Sequence, residues 1–274
     1  MEAYVRPRDL DEALEALADG SRQILAGGTD YFPARVGASS DEAVLDITGI
    51  STLRTIEDER TNFRIGALAT WTDLINAPLP PAFDGLKAAG REIGGVQIQN
   101  AGTVCGNVCN ASPAADGVPN LLALNARVEI ASSSGRRTEP IGSFLAGIRK
   151  TNLRRDELVT AILVPKLPET ARSRFLKLGT RRYLVISIVM VSILVVQEAE
   201  RVTDARVSVG ACSPVACRLP GLEAEITGRT LGEVTVTPDH LAPLAPIDDV
   251  RASAAYRRDA AATLIRRGLQ DLAV

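Results

Sequence analysis

Histidine is nearly absent: His240 is the only one in 274 residues, and its setting, PDHLAP, reads as a loop in which it is structural or solvated. The sequence holds no Ser-His-Asp order with supporting motifs, no HExxH, no Walker lysine after a glycine loop, no CxxCH and no GxGxxG. Those gaps exclude the common hydrolase, zincin, P-loop, c-haem and Rossmann chemistries. Cysteine is sparse too. Cys105 and Cys109 stand as C-x3-C and Cys212 and Cys217 as C-x4-C. Neither spacing matches a ferredoxin-type run or a paired CxxC zinc site, so the four read as reduced thiols of a cytosolic chain, with no metal assigned. Charge of one sign is not in excess: 31 Lys and Arg against 33 Asp and Glu leave a formal net charge of -2, without global attraction to nucleic acid or an anionic membrane. The first residues, MEAYVRPRDLDEAL, carry acids and no apolar segment, unlike a secretory signal. The longest apolar run, residues 183–196, is too short to span a membrane. Dense in Val and Ile, with Ser187 and Ser192 inside, it reads as a buried strand or strand-like core segment.

Small residues gather in two places instead. Residues 103–116, TVCGNVCNASPAAD, put hydroxyls, an amide and a carboxylate into one run. Gly106 lets backbone approach a ligand, Pro113 blocks a regular helix, and Asn107, Ser112 and Asp116 supply three kinds of hydrogen-bonding group. The stretch reads as a loop-like cradle. Residues 25–30, LAGGTD, follow an apolar segment in the same way, and their successive backbone N–H groups suit a diphosphate. Two such loops far apart in sequence suggest an extended ligand gripped from two sides. Each residue also has a bland reading: Gly27, Gly28 and Gly106 as turn glycines, Thr29, Thr103 and Ser112 as caps, Asp30 and Asp116 as solvated carboxylates, and Lys177 as a surface lysine.

In chain order, Pro7 and Asp9 precede a helical pattern on Leu10, Leu14 and Leu17 that stops at Gly20. Strands are expected over 23–26, 44–47, 64–68, 128–131 and 162–164, with the first two in a small βαβ-like unit. Thr70 is an N-cap for 71–75, and residues 83–93 and 121–124 read as helices. Residues 96–102 merely approach the cradle, and 149–155 form a basic connection. Pro165 and Pro168 mark a domain boundary. Beyond it, 174–178, 185–196 and 205–211 read as strands, 222–226 as a helix, and 249–269 as an amphipathic helix using Val250, Ala254, Ala260, Leu264 and Ile265, with its arginines outside. The fold class is α+β.

AGGTD (26–30), TVCGN (103–107), ASPAAD (111–116), DELVTAILVP (156–165), FLKLGTRRYLVISIV (175–189) and DDVRASAAYRRDAA (248–261) together resemble the FAD-binding medium subunit of the molybdenum hydroxylases, the family of the xanthine and carbon monoxide dehydrogenases. The resemblance spans nearly the whole chain. It implies a bipartite FAD-binding domain of vanillyl-alcohol-oxidase (PCMH-like) type over 1–168, in subdomains of about 1–55 and 56–168, then a smaller α+β domain of antiparallel sheet and helices over 169–274. It implies that Leu25, Ala26, Gly27, Gly28, Thr29, Asp30 and Tyr31 wrap the FAD diphosphate while Thr103, Val104, Cys105, Gly106, Asn107 and Ser112 close from the other side. Asp116 would accept a hydrogen bond from the flavin, Ile93 and Val159 would flank it, and Lys177 would place its charge nearby. Cys105 stands where the family usually has glycine; if the position required positive φ, it would be strained by about 1–3 kcal/mol. Tyr31 replaces an aliphatic residue and either stacks on the cofactor or packs. The extra cluster-binding insertion of aromatic acyl-CoA reductases is missing.

The function the resemblance implies is electron transfer. Electrons from a large molybdopterin subunit would pass through a small subunit with two [2Fe–2S] clusters to FAD here, then to NAD+, oxygen or a quinone, in a cytoplasmic hetero-oligomer of (LMS)2 type. The flavin would supply the reactivity and the protein its position. A competing class keeps the fold as a non-catalytic nucleotide-binding or scaffolding subunit; a self-contained flavin oxidase lacks a nameable substrate-facing acid or base.

Overall fold

The computed structural model describes residues 3–18, 20–37 and 42–273. Its first layer is a three-stranded parallel sheet in the order β1-β3-β2, from Tyr4–Val5 (β1), Arg22–Leu25 (β2) and Ala43–Asp46 (β3). Helix α1 (Leu10–Leu17) lies between β1 and β2, starts where the Asp9 side chain accepts from the Glu12 N–H, and buries Ala13, Leu14 and Leu17. The turn after β2 carries the AGGTD motif. A parallel strand ends there with backbone groups that no neighbouring strand can take.

The second layer is a five-stranded antiparallel sheet in the order β4-β5-β10-β6-β7, from Ile56–Asp58 (β4), Asn62–Gly66 (β5), Arg127–Ser132 (β6), Gly135–Pro140 (β7) and Leu158–Pro165 (β10). A small hairpin, Leu145–Gly147 (β8) with Lys150–Thr151 (β9), precedes β10. Between β5 and β6 run α2 (Trp71–Asn76), α3 (Asp84–Glu92), α4 (Val96–Ala101), α5 (Val104–Cys109) and α6 (Gly117–Ala123), with α7 (Ile141–Phe144) after β7. Thr70 caps α2 in a reciprocal box with Asp73. Two corrections arise here. Residues 96–102 form a helix, and residues 103–116 are a helix followed by a turn, because Thr103 takes an extended N-cap conformation and accepts from the Gly106 N–H at 2.9 Å. Cys105 therefore sits in a helix, absent from the residues with positive φ, and carries no such strain.

The third layer is a four-stranded antiparallel sheet, β11-β12-β13-β14, from Ala171–Leu178, Val189–Glu198, Arg201–Gly210 and Cys217–Arg218. On β12 the eight residues from Val189 to Val196 are all buried, and their alternation sorts them. Val189, Val191, Ile193 and Val195 pack with helices α8 (Pro220–Ile226) and α9 (Ala254–Ala273), while Leu194 and Val196 join the core of the first two layers. A strand covered on both faces reads as a continuous apolar run. The run reaches further than the strand: Tyr183, Leu184 and Ile186 are exposed. Helix α9 also begins later than expected, leaving Val250 in solvent, and its Arg257 is buried rather than outside. The guanidinium donates to the Ile188 and Ala211 carbonyls and to Asp249 at 2.7 Å, which makes burial of the charge tolerable.

Candidate cofactor site

A cavity of about 830 Å³ opens between the two sheets of the N-terminal part. One wall is the turn after β2, where Ala26, Gly27, Gly28, Thr29, Asp30 and Tyr31 line it; the opposite wall is the start of α5, with Thr103, Cys105, Gly106, Asn107 and Cys109. Ile93, Ile98 and Gly102 close one side, Val159 and Leu158 of β10 another, and the segment 153–155 with Glu157 a third.

The two motif walls touch through glycine. A Cβ on Gly27 would come within 2.0 Å of the Ala101 carbonyl oxygen, so only glycine lets the β2 turn lie against the end of α4. Gly28 has φ +70, and the Phe32 ring lies over it. Gly106 has a different reason: a Cβ there would meet the capping hydroxyl of Thr103 at 2.7 Å. Within the turn, the N–H groups of Gly27, Gly28, Thr29, Asp30 and Tyr31 find no acceptor among the described residues, whereas Phe32 and Ala34 donate back to Gly28 and Asp30. Across the cavity, Asn107 Oδ1 is buried and has no hydrogen-bond partner. A row of N–H groups left open on a cavity wall suits an anionic ligand.

The wall from 153 to 155 is held by charge. Glu157 accepts both Arg137 Nε and Arg137 Nη2 at 2.8 Å and the Arg154 N–H at 2.9 Å, and these bonds hold its carboxyl below its usual range against the opposing effect of burial. Tyr31 lines the cavity and packs against neighbours in its own turn. The Arg35 guanidinium sits 3.7 Å from its ring centre and Phe32 meets it edge-on.

Five of the expected positions lie elsewhere. Leu25 and Val104 are buried in the protein, and the Ser112 hydroxyl accepts from the Ala114 N–H. Asp116 and Lys177 pair with each other at 2.6 Å, almost wholly buried, and the Ser187 hydroxyl donates to the second Asp116 oxygen at 2.5 Å. Burial pushes the Asp116 carboxyl up while Lys177 and Ser187 pull it down. Both carboxylate oxygens are thus engaged within the chain. Conversely, Asn110, Leu153, Arg154, Arg155 and Ile98 line the cavity without having been singled out. The basic segment before DELVTAILVP was a signal, but only the β8–β9 hairpin carries it to the α5 wall. His240 accepts the Thr237 N–H at Nδ1 in a short turn, a structural role. Among the described residues no three His, Cys, Asp or Glu side chains are arranged to hold a metal, and no helix is long and apolar enough to cross a membrane.

FAD suits this cavity. A diphosphate matches the row of N–H groups without acceptors on one wall, and Asn107 lines the wall opposite. Fold and cavity together define a bipartite protein that binds an extended nucleotide cofactor. Residues 1–167 match the family model of the FAD binding domain in molybdopterin dehydrogenase, and residues 174–272 that of the CO dehydrogenase flavoprotein C-terminal domain. The chain belongs to the family of FAD-binding medium subunits of the molybdenum hydroxylases, and it is an oxidoreductase subunit. It is 30% identical over 278 residues to the putative xanthine dehydrogenase FAD-binding subunit of Escherichia coli, covering 98% of this chain and 95% of that one. The nicotine 6-hydroxylase medium subunit of Paenarthrobacter nicotinovorans is 28% identical, with 96% and 94% covered. Among solved structures, carbon monoxide dehydrogenase from Hydrogenophaga pseudoflava superimposes with a TM-score of 0.89 at 26% identity, over 97% of this chain and 95% of that chain.

Proposed function

We propose that this subunit takes electrons from the [2Fe–2S] clusters of a small partner subunit, within a cytoplasmic complex whose large subunit carries the molybdopterin cofactor, and passes them to NAD+, oxygen or a quinone. Bound FAD supplies the redox chemistry, accepting and releasing electrons. The residues of this chain bind, orient and shield it. The N–H groups of Gly27 to Tyr31 hold the diphosphate, Thr103, Gly106 and Asn107 close on it from α5, and Ile93 and Val159 exclude water from the ring. The observation that carries the reading is the row of N–H groups from Gly27 to Tyr31, without acceptors among the described residues, on one wall of a cavity whose other wall includes Asn107. A cavity that presents donors and acceptors but no paired acid and base holds a cofactor rather than turning over a substrate by proton transfer.

The full chain, stripped of flavin and titrated, is expected to bind FAD in preference to FMN, since only FAD has the diphosphate that the N–H row fits. Equal affinity by fluorescence quenching would sink the assignment. The same preparation is expected to show no activity on purines or aldehydes by itself and to reduce an electron acceptor only when joined to its cluster-bearing and molybdopterin-bearing partners.

A further inference from the structure

Tyr31 closes the row of N–H groups on the cavity wall, and it is where the turn departs from the aliphatic side chain that the family resemblance implies. An aliphatic residue only fills space. A tyrosine brings a ring and a hydroxyl that can donate as well as accept. Tyr31 is half-buried, and its hydroxyl has no hydrogen-bond partner among the described residues. Tyr4, on the first strand of the adjoining sheet, instead spends its hydroxyl on Asp46.

The Tyr31 ring is held from two sides. The Arg35 guanidinium covers one face at 3.7 Å from the ring centre, and Phe32 meets the edge with 5.3 Å between centres and 89° between planes. Arg35 is itself fixed: Nε donates to Glu42 at 3.0 Å, Nη2 donates to the same carboxylate oxygen, and Nη1 donates to the Tyr31 carbonyl at 3.1 Å. A guanidinium tied to a carboxylate and stacked on a ring is rigid, and the ion pair is neutral as a whole. It aligns the phenol while presenting little charge of its own to a ligand. Asp30, beside it on the same wall, carries a carboxyl that repels an anion. Beyond the N–H row, the side-chain donors this turn offers an anion are the hydroxyls of Thr29 and Tyr31. That of Thr29 lies against the end of α4, where a Cβ on Gly102 would stand 3.3 Å from it. Only the ring of Tyr31 is clamped.

We propose that the Tyr31 hydroxyl donates a hydrogen bond to the diphosphate of the bound cofactor, with Arg35 and Glu42 as positioning residues that hold the ring for it. The assignment rests on the cofactor reading above and adds a side-chain contact that an aliphatic residue could not make. An O–H bond to a phosphate oxygen is charge-assisted and directional. It selects a ligand by its phosphates and not by its flavin, so any ligand that shares the diphosphate gains from it.

The test titrates the full chain, stripped of flavin, with FAD and with ADP. Tyr31→Phe keeps a ring under Arg35 and removes only the hydroxyl. It is expected to weaken FAD and ADP alike, by about tenfold, and to leave the unfolding midpoint of the flavin-free protein unchanged. Arg35→Gln is expected to weaken FAD in the parent and to have no further effect in Tyr31→Phe, because a positioning residue acts only through the group it positions. Phosphorus NMR of bound FAD gives a second readout: the diphosphate resonances are expected to differ between the parent and Tyr31→Phe. Weaker FAD binding with ADP unchanged would place the ring against the flavin and overturn the proposal. Unchanged affinity for both ligands, or coincident phosphorus resonances, would overturn it too. A further loss from Arg35→Gln in Tyr31→Phe would overturn the positioning role alone. A parent chain that binds neither FAD nor ADP would overturn the proposed function itself.

Discussion

The seam between the N-terminal layers and the C-terminal sheet and the cavity within the N-terminal layers both gather polar groups, and they treat them in opposite ways. In the seam each such group has a partner of this chain. Lys177 and Ser187 share Asp116, the Ser192 hydroxyl donates to Asn120 Oδ1 at 2.9 Å, Asn120 Nδ2 donates to the Asp116 carbonyl, and Ser208 donates to the Pro119 carbonyl. At the cavity, five successive N–H groups have none among the described residues, and Asn107, which lines it, has a buried Oδ1 without a partner. A group paired inside the chain builds the chain, and one left open on a cavity wall is available to a ligand, although Arg257 Nε is buried without a partner away from the cavity. The contrast separates residues that sequence motifs place side by side: Asn107 and Asp116 stand nine positions apart in one run and belong to different halves of the comparison.

The sharpest way to break it is at Lys177. Lys177→Met leaves the Asp116 carboxylate buried beside a methyl group, and removal of one member of a buried pair costs about 3–5 kcal/mol. Protonation of Asp116, whose carboxyl burial already pushes up, limits that loss. The expected result is a large drop in unfolding midpoint, much of it recovered in the double variant Asp116→Leu with Lys177→Met. A single variant of parental stability that has lost its flavin would put Lys177 on the cofactor side of the comparison.

A smaller effect is expected at Gly27, where both halves of the argument meet. Gly27→Ala drives a methyl into the Ala101 carbonyl, and the walls must part. Overpacking of this kind costs about 1–3 kcal/mol, and the displaced N–H row should lower FAD affinity at the same time. Asn107→Ala should separate the two readouts: FAD affinity falls by about 1–3 kcal/mol, roughly 5- to 150-fold in Kd, while the flavin-free protein melts no earlier because an unsatisfied acceptor has gone. Calorimetric titration beside thermal unfolding distinguishes these outcomes. Early melting with FAD binding retained would make Asn107 a structural residue.

What the sequence disclosed was whatever depends on near neighbours. The caps at Asp9 and Thr70, helix α1 and the strand before AGGTD all rest on contacts within a few residues. Residues 103–116 misled because a glycine and a proline suggested a loop, whereas the Thr103 hydroxyl starts a helix before Pro113 is reached. Helix α4, VQIQNA, buries no residue and so carries no apolar periodicity to find. The pairing of Lys177 with Asp116 spans 61 positions, and that of Arg137 with Glu157 spans 20. Nothing local distinguishes such a carboxylate from one that faces a ligand; only the fold shows which oxygens are already taken.

The smallest effect is expected at Glu157, which lies in the cavity wall yet behaves like the seam. Its side chain is almost wholly buried and bonded to a partly exposed Arg137, so its contribution is modest, about 1 kcal/mol once solvent screening of the arginine is allowed for. The carboxyl is held below its unfolded value, first by Arg137 and then by the Arg154 N–H, while burial works the other way. Between the two pKa values the unfolded chain carries more protons than the folded one, so stability rises with pH there. The contribution is fully present above the unfolded value of 4.5 and is lost as pH falls through the lower folded value. Glu157→Gln should therefore be less stable than the parent at about pH 7, and the difference should close as the pH drops below about 4. Glu139 and Asp73 titrate in the same direction, so the parent alone cannot assign the effect, and the parent-minus-variant difference in unfolding free energy isolates it. Because Glu157 also anchors the backbone of Arg154 at the cavity edge, FAD affinity should weaken over that same interval in the parent and stay flatter in the variant. A gap between the two proteins that is independent of pH would mean the carboxylate acts by shape alone, and that the cavity wall, unlike the seam, is not held by charge.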